Sequence, residues 1–439
     1  AATFITTANN RSIILDQSGN AFTSTVTMQA GNGSNSTFDN ITFVDSAAVR
    51  LHSSAASAGD LFINAGTDLA VGGNLNITAT TGDITQGAAL AITGAATFIT
   101  TANNRSIILD QSNAFGSHVT MQAGDGSATF NDITFVDSAA VKLHSSAGSN
   151  GDLFINAGTD LAVSGDLSIT ATTGNITQGS ELAVALTSTF TTSASNGTIT
   201  LNDADNTFTG AVALNTSGSS GNATIKNDRA LLLAASSVGG ALSATATANN
   251  ITQNVILTIT GTSSFTTSAS GADIVLNSEN LFGGAVALNT TGSSAYATVV
   301  DASGLDLAAS TVNGNLTATA TTGNIEDSGV LTVTGNSSFT TSANNATITL
   351  NNANAFTGSV ALSTTGSSAH ATVVDASGLK LGTSTVGGNL VATATEGDIS
   401  DSGILTITGA ATFITTEATQ DIILDLNNVF TTTVTMQAG

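Results

Sequence analysis

Phe339-Thr-Thr-Ser-Ala-Asn-Asn-Ala-Thr-Ile348-Thr-Leu350-Asn-Asn-Ala-Asn-Ala-Phe356-Thr-Gly-Ser-Val360-Ala-Leu362 is the stretch that decides the fold. Its apolar residues alternate with Thr, Ser and Asn in short strings, the period of a half-buried strand. Asn344 and Asn345 punctuate it, because Asn tolerates the left-handed backbone of a tight turn. The same pattern recurs along the whole chain. Phe4, Phe98, Phe190, Phe265, Phe339 and Phe413 are each followed nine residues later by Ile (13, 107, 199, 274, 348, 422) and eleven later by Leu (15, 109, 201, 276, 350, 424). A second Phe follows at 22, 115, 208, 282, 356 and 430.

These landmarks divide the 439 residues into units 1–94, 95–186, 187–261, 262–335, 336–409 and a partial copy 410–439. The first two complete units are thus the long ones, and the other three are nearly equal in length. The partial copy repeats the first unit: Ala410 to Thr416 matches Ala1 to Thr7, and Thr433 to Gly439 matches Thr25 to Gly31. A shorter period lies inside each unit. Leu75, Phe98 and Val119 are equivalent entries, each opening the same alternation of apolar and polar residues. Their spacing is the length of one rung of a parallel β-helix, three short strands joined by turns and stacked ~4.8 Å above the last. The sequence therefore predicts an all-β, right-handed parallel β-helix of roughly 18 rungs of about 21–30 residues, running through 1–439 as one segment. Three rungs per short unit and four per long unit give one count; four and five shorter rungs is the competing one. On either count the extra residues of the first two units must form a whole rung, since a partial one would turn inward side chains to the wrong wall.

Composition agrees with a solenoid. Hydrophobic residues make up 41% and charged residues 8%, with no Trp and only Tyr296. The chain can bury a core yet lacks the usual inventory of an enzyme. Proline is absent, as suits a chain whose N–H groups are wanted for ladders. Cysteine is absent too, which excludes disulfides, thiolate metal sites and a cysteine nucleophile. The net charge of −23 argues against nucleic acid, which requires basic surfaces. No apolar run reaches the ~18 residues of a membrane-spanning helix, and no signal segment opens the chain. Starting at Ala1 and stopping within a repeat, the chain reads as a fragment whose export signals lie elsewhere. Inward ladders of Phe, Ile, Leu and Val are expected. All 18 Phe residues fall at repeated positions, with Phe38, Phe43 and Phe62 answering Phe130, Phe135 and Phe154. Turns are expected at Gly82-Asp83, Gly388-Asn389 and Asn344-Asn345, residue types that tolerate a left-handed backbone.

The segments Gly73-Asn-Leu-Asn-Ile-Thr-Ala-Thr-Thr-Gly-Asp-Ile-Thr-Gln-Gly87 and Gly314-Asn-Leu-Thr-Ala-Thr-Ala-Thr-Thr-Gly-Asn-Ile-Glu-Asp-Ser-Gly329 resemble the repeats of filamentous-haemagglutinin-like exoproteins. The resemblance runs through all the repeats. It implies a giant Gram-negative surface protein, exported by two-partner secretion through an outer-membrane transporter and folding outside the cell into a fibre for adhesion or matrix building. Lateral or end-to-end self-association and host or cell-surface glycans are the partners that go with it; the family's amino-terminal secretion domain is not in this segment.

Repeats also supply a test for chemistry: a catalytic residue should break the pattern in one copy, whereas a tolerated surface residue should vary freely. His370 stands where other units carry Tyr296 and Asn222, and Lys380 where they carry Asp306 and Leu232; these read as free outward positions. His52 and His144 follow Arg50 and Lys142 by two, which reads as an alternating strand with its polar side outward. Asp45, Asp137, Asp301 and Asp375, with Asn227 in the remaining unit, recur at least three rungs apart, beyond the ~5–9.5 Å of paired catalytic carboxylates. Glu396, Asp398 and Asp401 are denser, but lack the Gly-rich periodicity of calcium-stacked repeats. Thr317, Thr319 and Thr321 raise the flat threonine array of an ice-binding surface, although Thr is favoured on any exposed strand. Asn-x-Ser/Thr sequons at Asn76, Asn175, Asn250, Asn315 and Asn345 are what a chain this rich in Asn, Ser and Thr supplies by chance. No Ser-His-Asp constellation, phosphate loop or zinc spacing occurs. No catalytic, cofactor-binding or metal residue is assigned, and no cofactor is expected. The expected function is a structural shaft rather than an enzyme, with a polysaccharide-binding or polysaccharide-cleaving β-helix as the alternative. Eighteen rungs at the strand spacing predict a single rod about 85–90 Å long; electron micrographs with separate globules would refute it.

Overall fold

The computed structural model describes residues 1–31, 36–52, 59–64, 69–123, 131–144, 149, 151–155 and 161–439. Among them every strand pairing is parallel and no helix occurs. The fold is a parallel β-solenoid of about 18 turns. Two compact units divide it, Ala1–Asn227 and Asp228–Gly439.

The second unit sets out the construction most plainly. Its strands alternate buried and half-buried positions, as in Leu390–Ala394 and Ala411–Thr415, so one side of each faces the interior. Phe265, Phe339 and Phe413 are wholly buried, as are Ile274 and Ile348 and Leu276 and Leu350. The two phenylalanines of each copy meet edge to face, Phe339 against Phe356 with centroids 6.0 Å apart and Phe265 against Phe282 likewise at 6.0 Å. Such pairs add about 0.5–1.5 kcal/mol beyond the area they bury. At the first and last turns the equivalent Phe4 and Ile422 are half-buried, since their ladders have a neighbour on one side only.

One ladder corrects the rung count within a unit. Ser263 pairs with Val286, Val286 with Leu307, Leu305 with Ile325, Ile325 with Ile348, Ile348 with Ala371, Ala371 with Leu390, and Leu390 with Ala411. Ser263 and Ala411 hold the same repeat position two units apart, and seven steps separate them. Each short unit is therefore three and a half turns, neither three nor four. The intervening equivalent, Ser337, lies in the other ladder, between Leu316 and Val360. Successive units thus occupy opposite walls. A third set of short strands changes sides with them: Ser310–Val312 and Leu331–Val333 flank one ladder, Ser384–Val386 and Leu405–Ile407 the other.

The long units of the first half differ from expectation in a related way. On one wall the order of strands is Val26–Ala30, Asp60–Ile63, Val49–His52, Ile84–Gln86, so the later strand lies beneath the earlier one. On the other wall Ile41–Asp45 passes directly to Leu75–Ala79. The second copy repeats this with Val119–Ala123, Asp152–Ile155, Val141–Leu143 and Ile176–Gln178. Among the described residues the long units thus add one strand to one wall, not a complete rung. Register survives because the added strand is whole, with Leu61 and Ile63 buried. Phe130 lies outside the described residues; its counterpart Phe38 is buried and bridges to Val71.

The turns need glycine and asparagine for two separate reasons. Asn345 is left-handed, with φ 67°, as expected. Gly82 and Gly388 are not; they are demanded by close approach, since a Cβ on Gly82 would sit 2.5 Å from the Ala48 backbone and one on Gly388 2.7 Å from the Ala369 carbonyl carbon. We predict that Phe339→Asp or Ile348→Asp destabilises by more than about 3 kcal/mol, the loss expected from truncating a buried aromatic alone. Lys380→Asp, on the exposed side of Leu379–Leu381, should stay within about 0.5 kcal/mol of the parent. Equal denaturation midpoints for the three variants would refute the inward and outward assignment.

Candidate functional site

The polar residues that could carry chemistry are mostly consumed inside the solenoid. At one corner of each repeat, three successive turns place polar side chains above one another: Gln86, Asn113 and Asp137; Gln178, Asn206 and Asn227; Gln253, Asn280 and Asp301; Asp327, Asn354 and Asp375. The strand bends there, leaving backbone groups without ladder partners. The central Asn supplies them. Asn280 accepts from the Leu257 N–H at 2.9 Å and donates to the Val300 carbonyl at 3.1 Å and to Gln253 Oε1 at 2.9 Å. Asn354 likewise accepts from Leu331 N–H at 2.8 Å and donates to Asp327 at 2.8 Å. An amide suits the place because it offers an acceptor and two donors at once.

Of the repeated carboxylates read from sequence as scattered copies, Asp137, Asp301 and Asp375 are the upper members of these stacks. Asp45, Asp137, Asp301 and Asp375 are at most 2% exposed. Each accepts a hydrogen bond from the N–H of the second Phe of its copy, Phe22, Phe115, Phe282 or Phe356, at 3.1–3.4 Å. Asp301 and Asp375 also accept from the backbone and hydroxyl of Ser303 and Ser377 at 2.9–3.0 Å. Asn227 performs the same task, accepting from Phe208 N–H and donating to Phe208 O, both at 2.9 Å. Burial lifts the carboxyls of Asp137, Asp301 and Asp375 above the ordinary 3.8, against the lowering effect of their hydrogen bonds.

Other candidates are dispersed. Glu396 and Asp398 are exposed; Asp398 accepts from Asp421 N–H at 2.8 Å, and Asp401 from Asp425 N–H at 3.2 Å and Asn428 Nδ2 at 2.6 Å. Among the described residues no three such side chains converge as metal ligands. Thr317 and Thr319 face outward, but Thr321 turns to the Ala302 carbonyl at 2.8 Å, and the column through Thr317 runs Thr298, Thr317, Ser338, Ala361. The surface is no regular threonine array. Asn175, Asn250, Asn315 and Asn345 use their Oδ1 atoms to accept from the next turn's backbone at 2.8–3.0 Å. His370, Tyr296 and Lys380 are exposed, as read from the repeats. His52 is not outward in the free sense: Phe62, its register partner, covers it edge to face at 6.1 Å, and His144 meets Phe154 at 6.2 Å in the same way. The strand responsible is the one added by the long units.

The sequence matches the family described as repeats of unknown function (DUF5649) five times, over residues 39–122, 138–215, 220–289, 294–363 and 368–437. The chain belongs to this family. The last three DUF5649 matches begin at 220, 294 and 368, an even spacing that is the three-and-a-half-turn unit. No curated protein and no solved structure matches the chain.

Raised carboxyl values fix a sign. Between 3.8 and their higher folded values, Asp301 and Asp375 hold more protons in the folded chain than in the unfolded one, so their contribution to stability is complete below 3.8 and is lost as pH rises. Replacing both by Asn, the residue at 227, should remove this loss. The stability of the double variant relative to the parent should therefore rise between pH 3.5 and about 7; a difference that is flat with pH would contradict the assignment.

Proposed function

We propose that this DUF5649 chain is a structural shaft, part of a long secreted or cell-surface bacterial fibre that serves adhesion or extracellular matrix building, and not an enzyme. The observation that carries the reading is the use of the polar residues. The repeated Asp and Asn side chains bind backbone of the neighbouring turn, so they maintain the stack instead of facing a substrate. The filamentous-haemagglutinin-like character of Gly73 to Gly87 and Gly314 to Gly329 supports the same reading and suggests export of the full-length protein through an outer-membrane transporter to the surface of a Gram-negative cell. Glycans and further copies of the shaft are the proposed partners, and nucleic acid is not. A net charge of −23 favours solubility and mutual repulsion outside such contacts.

A shaft tolerates loss of a whole repeat. Gly335 N–H donates to Gly314 O at 3.0 Å and Gly409 N–H to Gly388 O at 2.9 Å; Asn336 N–H and Ala410 N–H then donate to Asn315 and Asn389 at 2.8 and 2.9 Å. Joining Gly335 to Ala410 offers Asn315 the same donor. Deleting Asn336 to Gly409 should leave a cooperatively melting β-protein, shorter by three and a half turns or roughly 17 Å. Adhesion or matrix assembly by the full-length protein should change gradually with the number of units. Abrupt loss of activity with the remaining turns folded would place a specific site, such as one for polysaccharide, in the deleted unit.

A further inference from the structure

Lys380 is the sole Lys or Arg after Arg229. It is exposed, stands opposite Ser400 in its ladder, and takes part in no ion pair among the described residues. At the equivalent position of the preceding unit the chain carries Asp306, in register with Glu326 on the next turn. Two carboxylates at directly opposed positions repel each other, and no cation of the described residues joins them. They border a notch of about 250 Å³ with Gly304, Leu305 and Asn324.

The half-turn per unit puts these two features back to back. The Asp306–Glu326 notch lies on the ladder through Val286 and Ile325, and Lys380 on the ladder through Val360 and Ile399. We propose that the notch receives Lys380 of a second copy of this chain, displaced sideways and by three and a half turns along the stack, roughly 17 Å, without rotation. Each copy then offers a lysine on one wall and an acidic notch on the other, a head-to-tail contact that propagates into a ribbon rather than closing. The ammonium relieves the carboxylate repulsion, and the paired charges select the axial offset. Repulsion between whole acidic chains is cut off beyond about 10 Å at 0.1 M salt, whereas a contact pair persists. The contact deepens the shaft reading and rests on it, since sideways joining is of use to a fibre.

The test uses the full chain at about 0.1 M salt. Sedimentation velocity over a concentration series should show open-ended association of the parent chain, weakened about tenfold or more by Lys380→Glu, and equally by Asp306→Lys with Glu326→Lys. Mixing those two variants should restore association, because the carboxylate introduced in the first then fits the basic notch of the second, while the remaining pair is of parental type. Carbodiimide coupling of isotopically distinct copies should link Lys380 to Asp306 or Glu326 between chains. Unchanged melting curves will show that each variant is folded. A parent chain that stays monomeric, or a mixture that fails to associate, overturns the contact and leaves the shaft reading standing; because deleting Asn336 to Gly409 also removes Lys380, an abrupt loss of activity on that deletion that Lys380→Glu does not reproduce removes the shaft reading alone.

Discussion

The parallel backbone ladder between successive turns is the interaction on which everything else depends. It fixes the spacing of neighbouring strands and, because side chains alternate, it fixes which of them point inward. A Phe, Ile or Leu in one turn must therefore stand above an apolar side chain in the next, as Phe339 stands between Ala318 and Leu362. The column runs Leu276, Val299, Ala318, Phe339, Leu362, with the smallest side chain directly beneath the aromatic ring. An Ala next to the Phe leaves room for the ring in a narrow, close-packed interior.

What the ladder cannot do is turn corners. At the bends, N–H and C=O groups leave their partners, and an unpaired buried group costs about 1–3 kcal/mol. The stacks of Gln or Asp, Asn, and Asp or Asn meet that demand from within, while Asn315, Asn324 and Asn389 meet it on the outside by accepting from the following turn. Acidic residues are tolerated in the inner stack because each faces backbone N–H groups, whereas the stack ending in Asn227 manages with amides alone. The side chains that look most available for chemistry are thus occupied in holding one turn to the next.

Much of this is legible in the sequence. The Phe, Ile and Leu columns stand out because a buried ladder tolerates little else. The half-turn is not legible, since the spacing of Phe265, Phe339 and Phe413 counts residues and carries no information about which wall each one faces. Asp301 and Asp375 were legible only as copies too far apart to pair, yet their replacement by Asn227 in one copy is the signature of a hydrogen-bonding place where charge is dispensable. His52 escaped for another reason: alternation shows the side of a strand, and only the three-dimensional pairing with Asp60–Ile63 reveals that Phe62 covers that side. Gly82 and Gly388 were recognisable as turn residues, but whether a glycine is needed for its φ or for the room it leaves depends on what lies beneath it.

A tandem array of closely similar units invites unequal recombination, which adds or removes units in whole numbers. Since each short unit advances the chain by three and a half turns, the parity of that number has a physical meaning. A gain or loss of two units leaves every later feature on its original wall. A gain or loss of one transfers all of them to the reverse side, while core, ladder and local sequence remain untouched. Copy number in such a repeat is thus a binary switch of facing as well as a measure of length.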